Sequence, residues 1–138
     1  MPKEKELATQ KPKKLTLISY FKKQIKSFSY AFRGITFAFA DYNFLIHIPA
    51  AILILIFAWY FEIKILEWLF LISAIFAVWI SETFNCSIEI LTDMVSPDFH
   101  KMAGKVKDLA AGAVLMAVIY AIIVAGIIFT PHFLNIIL

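Results

Sequence analysis

Four polar side chains stand at helical spacing within an otherwise apolar stretch, and three of them are acidic. Glu82, Asn85, Glu89 and Asp93 lie at offsets of 0, 3, 7 and 11 residues. At about 100° per residue they project at roughly 0°, 300°, 340° and 20°, which is one narrow face of a helix. Carboxylates on an apolar helix are costly near a bilayer and usually have a function there. Carboxylates that face phosphates need a bridging cation such as Mg²⁺, so the face indicates phosphoryl transfer.

The helix that carries this face has to cross a membrane. The apolar pattern runs from about residue 65 to residue 95, and such a helix is about 45 Å long against a hydrocarbon core of about 30 Å. If it enters the membrane at Ile65, then Glu82 and Asn85 lie near the opposite interface, while Glu89 and Asp93 project into the headgroup layer. One carboxylate then lies at the depth of a lipid hydroxyl, and the others lie where a soluble anionic cofactor can approach.

Basic residues follow the acidic face. His100, Lys101 and Lys105 precede an apolar stretch that opens with Lys107 and Asp108. Lysine is a common phosphate-binding point charge, although basic residues at a cytoplasmic helix end are also expected from membrane topology alone. The sequence contains neither a P-loop nor a kinase glycine-rich loop. A nucleotide site in this chain is therefore of another kind.

Composition places the chain among membrane proteins. Of its 138 residues, 62% are hydrophobic and only 17% are charged, and a soluble domain of this size needs more polar surface. The single cysteine, Cys86, excludes an intramolecular disulfide. Residues 1–33 hold nine Lys and Arg against two Glu. A basic end beside apolar spans suits an anionic cytoplasmic leaflet better than nucleic acid, so we expect no nucleic-acid partner.

The periodicity predicts one integral-membrane domain over residues 15–138, after a mobile basic tail over residues 1–14. Within the domain we expect an amphipathic helix lying in the membrane surface and then three spans. Their approximate ranges are 15–40 for the surface helix and 44–61, 65–95 and 106–129 for the spans. The lysine bias predicts that the amino terminus and the loop over residues 94–106 face the cytoplasm. Pro97 and Gly104 are expected to keep that loop non-helical.

Three segments carry a resemblance to a known family. They are Glu82-Thr-Phe-Asn85-Cys86-Ser87-Ile88-Glu89 followed by Asp93, then His100, then Lys107-Asp108-Leu-Ala-Ala-Gly-Ala-Val. In type and spacing they resemble the small bacterial diacylglycerol kinases and undecaprenol kinases over about residues 20 to 130. The resemblance implies an all-α homotrimer in the bacterial cytoplasmic membrane, with active sites shared between neighbouring subunits. It also implies phosphorylation of a lipid alcohol, diacylglycerol or undecaprenol, with ATP as co-substrate and Mg²⁺ as cofactor.

The resemblance further implies a role for individual residues. Glu82 would be the general base for the lipid hydroxyl, Asp41 and Glu89 would hold the metal, and Asn85 and Asp93 would support that centre. The implied nucleotide-binding residues are Lys23, Tyr30, Asp41, Glu89, Asp98, His100, Lys107 and Asp108. The implied lipid-binding residues are Asn43, Phe44, His47 and Glu82.

The sequence departs from the family pattern at three places. Asp41 stands where the family usually has Glu, Leu45 where it usually has Arg, and Cys86-Ser87 where it usually has Ser or Thr followed by Ala. The first two departures leave open a degenerate family member that binds its ligands without turnover. A small membrane subunit or channel with the acidic face along an ion path is the other alternative. A pore would need its charges spread along the membrane axis, whereas these cluster at one interface.

Overall fold

The computed structural model describes residues 17–98 and 100–137, which form four helices and no strand. In chain order these helices are α1 (Leu17–Phe39), α2 (Phe44–Tyr60), α3 (Ile65–Val95) and α4 (Lys101–Ile137). The prediction of an all-α protein with a first helix and three apolar helices is confirmed. The predicted tail over residues 1–14 lies outside the described residues.

Two of the four helices, α3 and α4, are each long and apolar enough to cross a membrane, and α1 with α2 forms a third candidate when the two are taken together. Alone, α2 has 17 residues and a length of about 25 Å, slightly less than a hydrocarbon core of about 30 Å. The apolar content and these lengths describe a helical membrane protein.

The chain divides into two compact units at Gly34. In the first unit, α1 exposes an apolar stripe of four side chains, each at least 66% exposed: Phe21, Ile25, Phe28 and Phe32. On another face, Lys26 Nζ and the Arg33 guanidinium lie 5.9 Å and 5.7 Å from the centre of the Tyr30 ring. An apolar stripe beside a cationic face is typical of a helix in a membrane surface.

In the second unit, the core joins the end of α2, the first half of α3 and the end of α4. Its buried members are Ala58, Ile63, Leu71, Ala74, Val124, Ile128 and Phe129. Small residues at such contacts let helices pack closely in a membrane. This end of the bundle therefore holds α2, α3 and α4 together, and the acidic face of α3 begins about two turns further along.

The turn between α2 and α3 is a Schellman motif with an unusual residue at its left-handed position. The Ile63 N–H donates to the Ala58 carbonyl and the Glu62 N–H donates to the Trp59 carbonyl, which is the paired pattern of that motif. Glu62 has a φ of 49°, a conformation that glycine adopts without steric cost. Ile63 and Ala58 both lie in the core, so the strained residue fixes a buried contact.

The loop before α4 is shorter than the sequence predicts. The predicted loop reaches residue 106, but α4 already begins at Lys101. His100 explains the early start, because its Nδ1 accepts from the Met102 N–H and its carbonyl accepts from the Gly104 N–H. A capped first turn outweighs one helical glycine, which costs about 1 kcal/mol. The helix also passes the expected end at residue 129 and continues through Pro131.

Candidate active site

The acidic face of α3 runs from a buried end to an exposed end. Glu82 and Asn85 are 5% and 4% exposed, Glu89 is half-buried and Asp93 is exposed. Asn85 Nδ2 donates to Glu89 Oε1 at 2.9 Å, as residues four apart on one helical face can do. This hydrogen bond confirms the shared face of these two residues. The four residues therefore grade from the packed interior of the bundle to its surface.

The carboxylate of Glu82 is hydrogen-bonded to a side chain of a neighbouring helix. His47, in the first turn of α2, donates from Nε2 to Glu82 Oε1 across 2.7 Å. The side chains are 22% and 6% exposed, respectively. A buried carboxylate needs such a partner, since an unpaired charge in a low-dielectric interior is unfavourable. The contact brings together two residues that are 35 positions apart in sequence.

Asp41 lies in the connection between α1 and α2, beside the same region of α3. Its Oδ1 accepts from the Asn43 N–H at 3.0 Å, and its Oδ2 accepts from the Cys86 thiol at 3.5 Å. Cys86 also lies within electrostatic range of Glu89 and Glu82. The structure therefore places Asp41 near the acidic face of α3, with Cys86 between them. An aspartate that accepts from the N–H two residues on is common in turns, which explains its orientation.

The residues of this region fit a divalent cation that is shared with a ligand. Asn85 Oδ1 is buried without a hydrogen-bond partner among the described residues, although buried polar atoms are nearly always paired. It lies next to the carboxylate of Glu89, and amide and carboxylate oxygens suit Mg²⁺. In the described ranges no group of three His, Cys, Asp or Glu side chains is close enough to hold a metal ion. Mg²⁺ usually binds one or two protein carboxylates and completes its coordination shell with phosphate oxygens and water. The residues of this region fit a site in which the protein supplies only part of that shell.

Lys107, one of the predicted nucleotide-binding residues, lies at the exposed end of the acidic face. Lys107 Nζ, in the second turn of α4, forms an ion pair with Asp93 Oδ1. Asp108 is exposed beside it, and Asp98 and His100 are exposed in the loop before α4. The structure therefore brings Lys107 to the acidic face through Asp93. Lys23 and Tyr30 lie on α1 in the other unit, and their predicted role stays a prediction.

Two of the predicted lipid-binding residues have other contacts. Phe44 is 1% exposed, and its ring lies 4.9 Å from that of Phe39. This burial supports a packing role for Phe44, and its predicted contact with lipid stays a prediction. Asn43 is half-buried, and its N–H is held by Asp41. His47 and Glu82 contact each other, as described above.

An apolar cleft is lined by His47, the hydrogen-bond partner of Glu82. Its volume is about 210 Å³, and it runs between α2, α3 and α4. Apart from His47 and the indole N–H of Trp79, the side chains that line the cleft are apolar. The lining residues are His47, Ala50, Ala51, Ile54, Leu71, Ala74, Ile75, Val78, Trp79, Val118, Ala121, Ile122 and Ala125. Trp79 precedes Glu82 by one helical turn. A hydrocarbon chain in this cleft would contact His47, whose ring is hydrogen-bonded to the buried carboxylate of Glu82.

Comparison with known proteins decides the family. The model of the prokaryotic diacylglycerol kinase family matches residues 29–129. The chain belongs to this family. An undecaprenol kinase of Bacillus subtilis is 36% identical over 107 residues, which are 77% of this chain and 87% of that protein. A diacylglycerol kinase of Escherichia coli is 30% identical over 114 residues, which are 82% of this chain and 93% of that protein. The protein is thus a lipid kinase of the membrane.

Sequence reasoning missed two features of this kinase. It noted Cys86 only as a single cysteine and as a departure from the family pattern, whereas the thiol contacts Asp41. It also grouped His47 with the lipid-binding residues and did not foresee the contact with Glu82. Neither feature has a signal in the spacing of one helix, because each depends on which residue of the preceding segment meets α3.

Proposed function

We propose that this kinase transfers the γ-phosphoryl group of Mg-ATP to the hydroxyl group of a membrane lipid alcohol, either diacylglycerol or undecaprenol. The relatives named above act on these two alcohols according to their names. Both alcohols present a hydroxyl group at the end of long hydrocarbon chains, so both suit the same arrangement of an apolar cleft and a buried carboxylate.

One observation carries the proposal. The apolar cleft between α2, α3 and α4 is lined by His47, and His47 holds the 5% exposed carboxylate of Glu82. An apolar cleft suits an acyl or prenyl chain and does not suit a nucleotide. A carboxylate held by a residue that lines the cleft suits the removal of a proton from an alcohol. The Glu82 oxygen that is not bonded to His47 would accept that proton.

The other reactant would approach from the exposed end of the acidic face. In our proposal Asp41, Glu89 and Asn85 hold Mg²⁺ with the ATP phosphates, and Lys107 leaves Asp93 to contact the β- and γ-phosphates. The ion would neutralise phosphate charge, which is its main contribution to phosphoryl transfer. Before ATP binds, the ion pair with Asp93 would hold Lys107 near the site. Asp98, His100 and Asp108 would line the nucleotide, and Lys23 and Tyr30 of α1 would also contact it.

We also propose that the protein is a homotrimer of the bacterial cytoplasmic membrane, with the amino terminus and the segment over residues 94–106 in the cytoplasm. Lys101, Lys105 and Lys107 all lie in the first two turns of α4, which supports this orientation because cytoplasmic helix ends are rich in lysine. ATP is then on the same side as the exposed end of the acidic face. The family resemblance supports the trimer.

A lipid panel tests the proposal directly. The purified full chain in detergent micelles is given Mg-ATP together with diacylglycerol, undecaprenol or a matched lipid without a hydroxyl group. Formation of the phosphorylated lipid and of ADP in equal amounts is measured, with and without EDTA. We expect product from at least one alcohol, none from the lipid lacking a hydroxyl group, and none with EDTA. ATP hydrolysis without a phosphorylated lipid would refute the proposal.

A further inference from the structure

The His47–Glu82 contact has the geometry of a positioning pair. The donor–acceptor distance is 2.7 Å, and the carboxylate is buried on α3 while the imidazole comes from α2. A charge-assisted hydrogen bond of this length is among the stronger ones that proteins make. Among the described residues, His47 is the one side chain whose hydrogen bond to the Glu82 carboxylate the structure shows. The orientation of this carboxylate therefore depends on one side chain.

His47 also lines the apolar cleft, so the same ring could instead be a wall for the lipid. The hydrogen bond distinguishes the two roles. Nε2 is occupied by Glu82 Oε1, which leaves only the carbon edge of the ring and Nδ1 for a lipid. Because the Nε2–H of His47 already donates to Glu82, it is not available to bind the substrate hydroxyl.

We propose that His47 is a positioning residue that acts through Glu82, rather than a recognition residue for the lipid. This inference rests on the proposed function. His47 fixes Oε1 of Glu82, so Oε2 faces the substrate hydroxyl. The alcohol proton passes to Oε2, the alcohol oxygen bonds to the γ-phosphorus, and the bond from that phosphorus to the β-phosphate oxygen breaks and releases ADP. His47 neither gains nor loses a proton in the transfer.

The test is a double-mutant cycle between His47 and Glu82, with turnover, the KM for lipid and the KM for ATP measured in the full chain. His47→Leu removes the donor and keeps an apolar wall for the cleft. His47→Gln keeps an N–H donor near the position of Nε2. Ile52→Leu, on an exposed face of the same helix, is the matched control. Thermal unfolding midpoints of all variants show whether each has folded.

We expect His47→Leu to lower kcat by about 10²-fold with the KM for ATP unchanged, because a misplaced catalytic group loses about that much. His47→Gln should recover most of this loss. In a Glu82→Gln background, His47→Leu should change the residual rate by less than about 3-fold, because coupled residues are not additive. A merely structural role of His47 would lower the rate further in both backgrounds.

Two results would overturn the inference. One is an equal loss in the wild-type and Glu82→Gln backgrounds. The other is a raised KM for lipid with unchanged kcat, which would return His47 to lipid recognition. Should His47→Leu not fold, the same comparison is made with His47→Gln and His47→Asn, of which only Gln is long enough to reach Glu82. Failure of the proposed function looks different, because the wild-type protein would then phosphorylate no lipid alcohol at all.

Discussion

Replacement of Glu82 by Gln is the sharpest test of the proposed general base. The side chain is 5% exposed and its Oε1 accepts from His47. Glutamine has the same shape, and its amide oxygen can accept the same hydrogen bond, so packing on α3 is preserved. What it cannot do is take a proton from an alcohol. The substitution therefore separates catalysis from structure.

The expected magnitudes differ enough to be distinguished. A lost general base lowers turnover by about 10²–10⁴-fold, which corresponds to about 3–5 kcal/mol of transition-state stabilisation. The folded state loses only the charge assistance of one hydrogen bond and buries an amide N–H₂ group, at a cost of about 1–2 kcal/mol. Glu82 is not among the proposed nucleotide-binding residues, and glutamine keeps its shape, so the KM for ATP should not change.

The assay measures initial rates in micelles at saturating Mg-ATP and lipid, together with the KM for ATP and the unfolding midpoint. Glu67→Gln is the matched control, because Glu67 lies on the same helix and its Oε2 only accepts from the Lys64 N–H at 2.7 Å. A Glu82→Gln rate within a few-fold of wild type would refute the base assignment. So would a loss that appears only in the KM for ATP.

Two further predictions concern the metal and the turn. Glu89→Ala should abolish activity or sharply raise the Mg²⁺ concentration that the kinase requires. Asp41→Glu should retain activity, because glutamate keeps the carboxylate. If Asp41→Ala leaves the Mg²⁺ dependence unchanged, Asp41 is not a metal ligand. Glu62→Gly should stabilise the protein by roughly 0.5–1 kcal/mol, since it removes a left-handed strain of about 1–2 kcal/mol at some cost in chain entropy. Unfolding midpoints test this, with Lys64→Gly as the control: Lys64 has a φ of −67°, so glycine there relieves no strain and should destabilise. A lower midpoint for Glu62→Gly would contradict the strain argument.

The helices and the acidic face could be predicted from the sequence because both depend on local periodicity. The predicted spans over 44–61 and 65–95 agree with α2 and α3 to within one residue. The shared face of Asn85 and Glu89 follows from their spacing, and their hydrogen bond shows it. The predicted start of α4 is wrong because glycine usually disfavours a helix, whereas the His100 cap stabilises the first turn, which contains Gly104.

Contacts between helices could not be predicted in the same way. His47 meets Glu82, Cys86 meets Asp41 and Lys107 meets Asp93 only after α2, α3 and α4 have packed. Their separations of 35, 45 and 14 residues have no signature in a period of 3.6 residues. The register of the packed helices is set by small buried residues such as Ala51, Ala58 and Ala74. These are too common in apolar helices to be recognised as contact residues beforehand.

The proposed shared sites predict which pairs of inactive subunits can restore one another. Asp41 and the α3 carboxylates border Cys86 within a single chain, so we expect the metal residues of one site to come from one subunit. The resemblance to the family implies that Glu82 and Asp108 of one site come from neighbouring subunits. Each pair of single variants is unfolded together, mixed in equal amounts and reassembled.

A trimer with a closed ring has three equivalent heterologous interfaces. In random mixtures of Glu82→Gln and Asp108→Asn subunits, about one interface in four joins an intact Glu82 to an intact Asp108, so activity should recover to about a quarter of wild type. Mixtures of Asp41→Ala and Glu89→Ala subunits should recover nothing, because every site then lacks one ligand. Recovery in the second mixture would mean that the metal site spans two subunits. Failure of the first, in samples shown to contain mixed trimers, would place Glu82 and Asp108 in the site of one subunit.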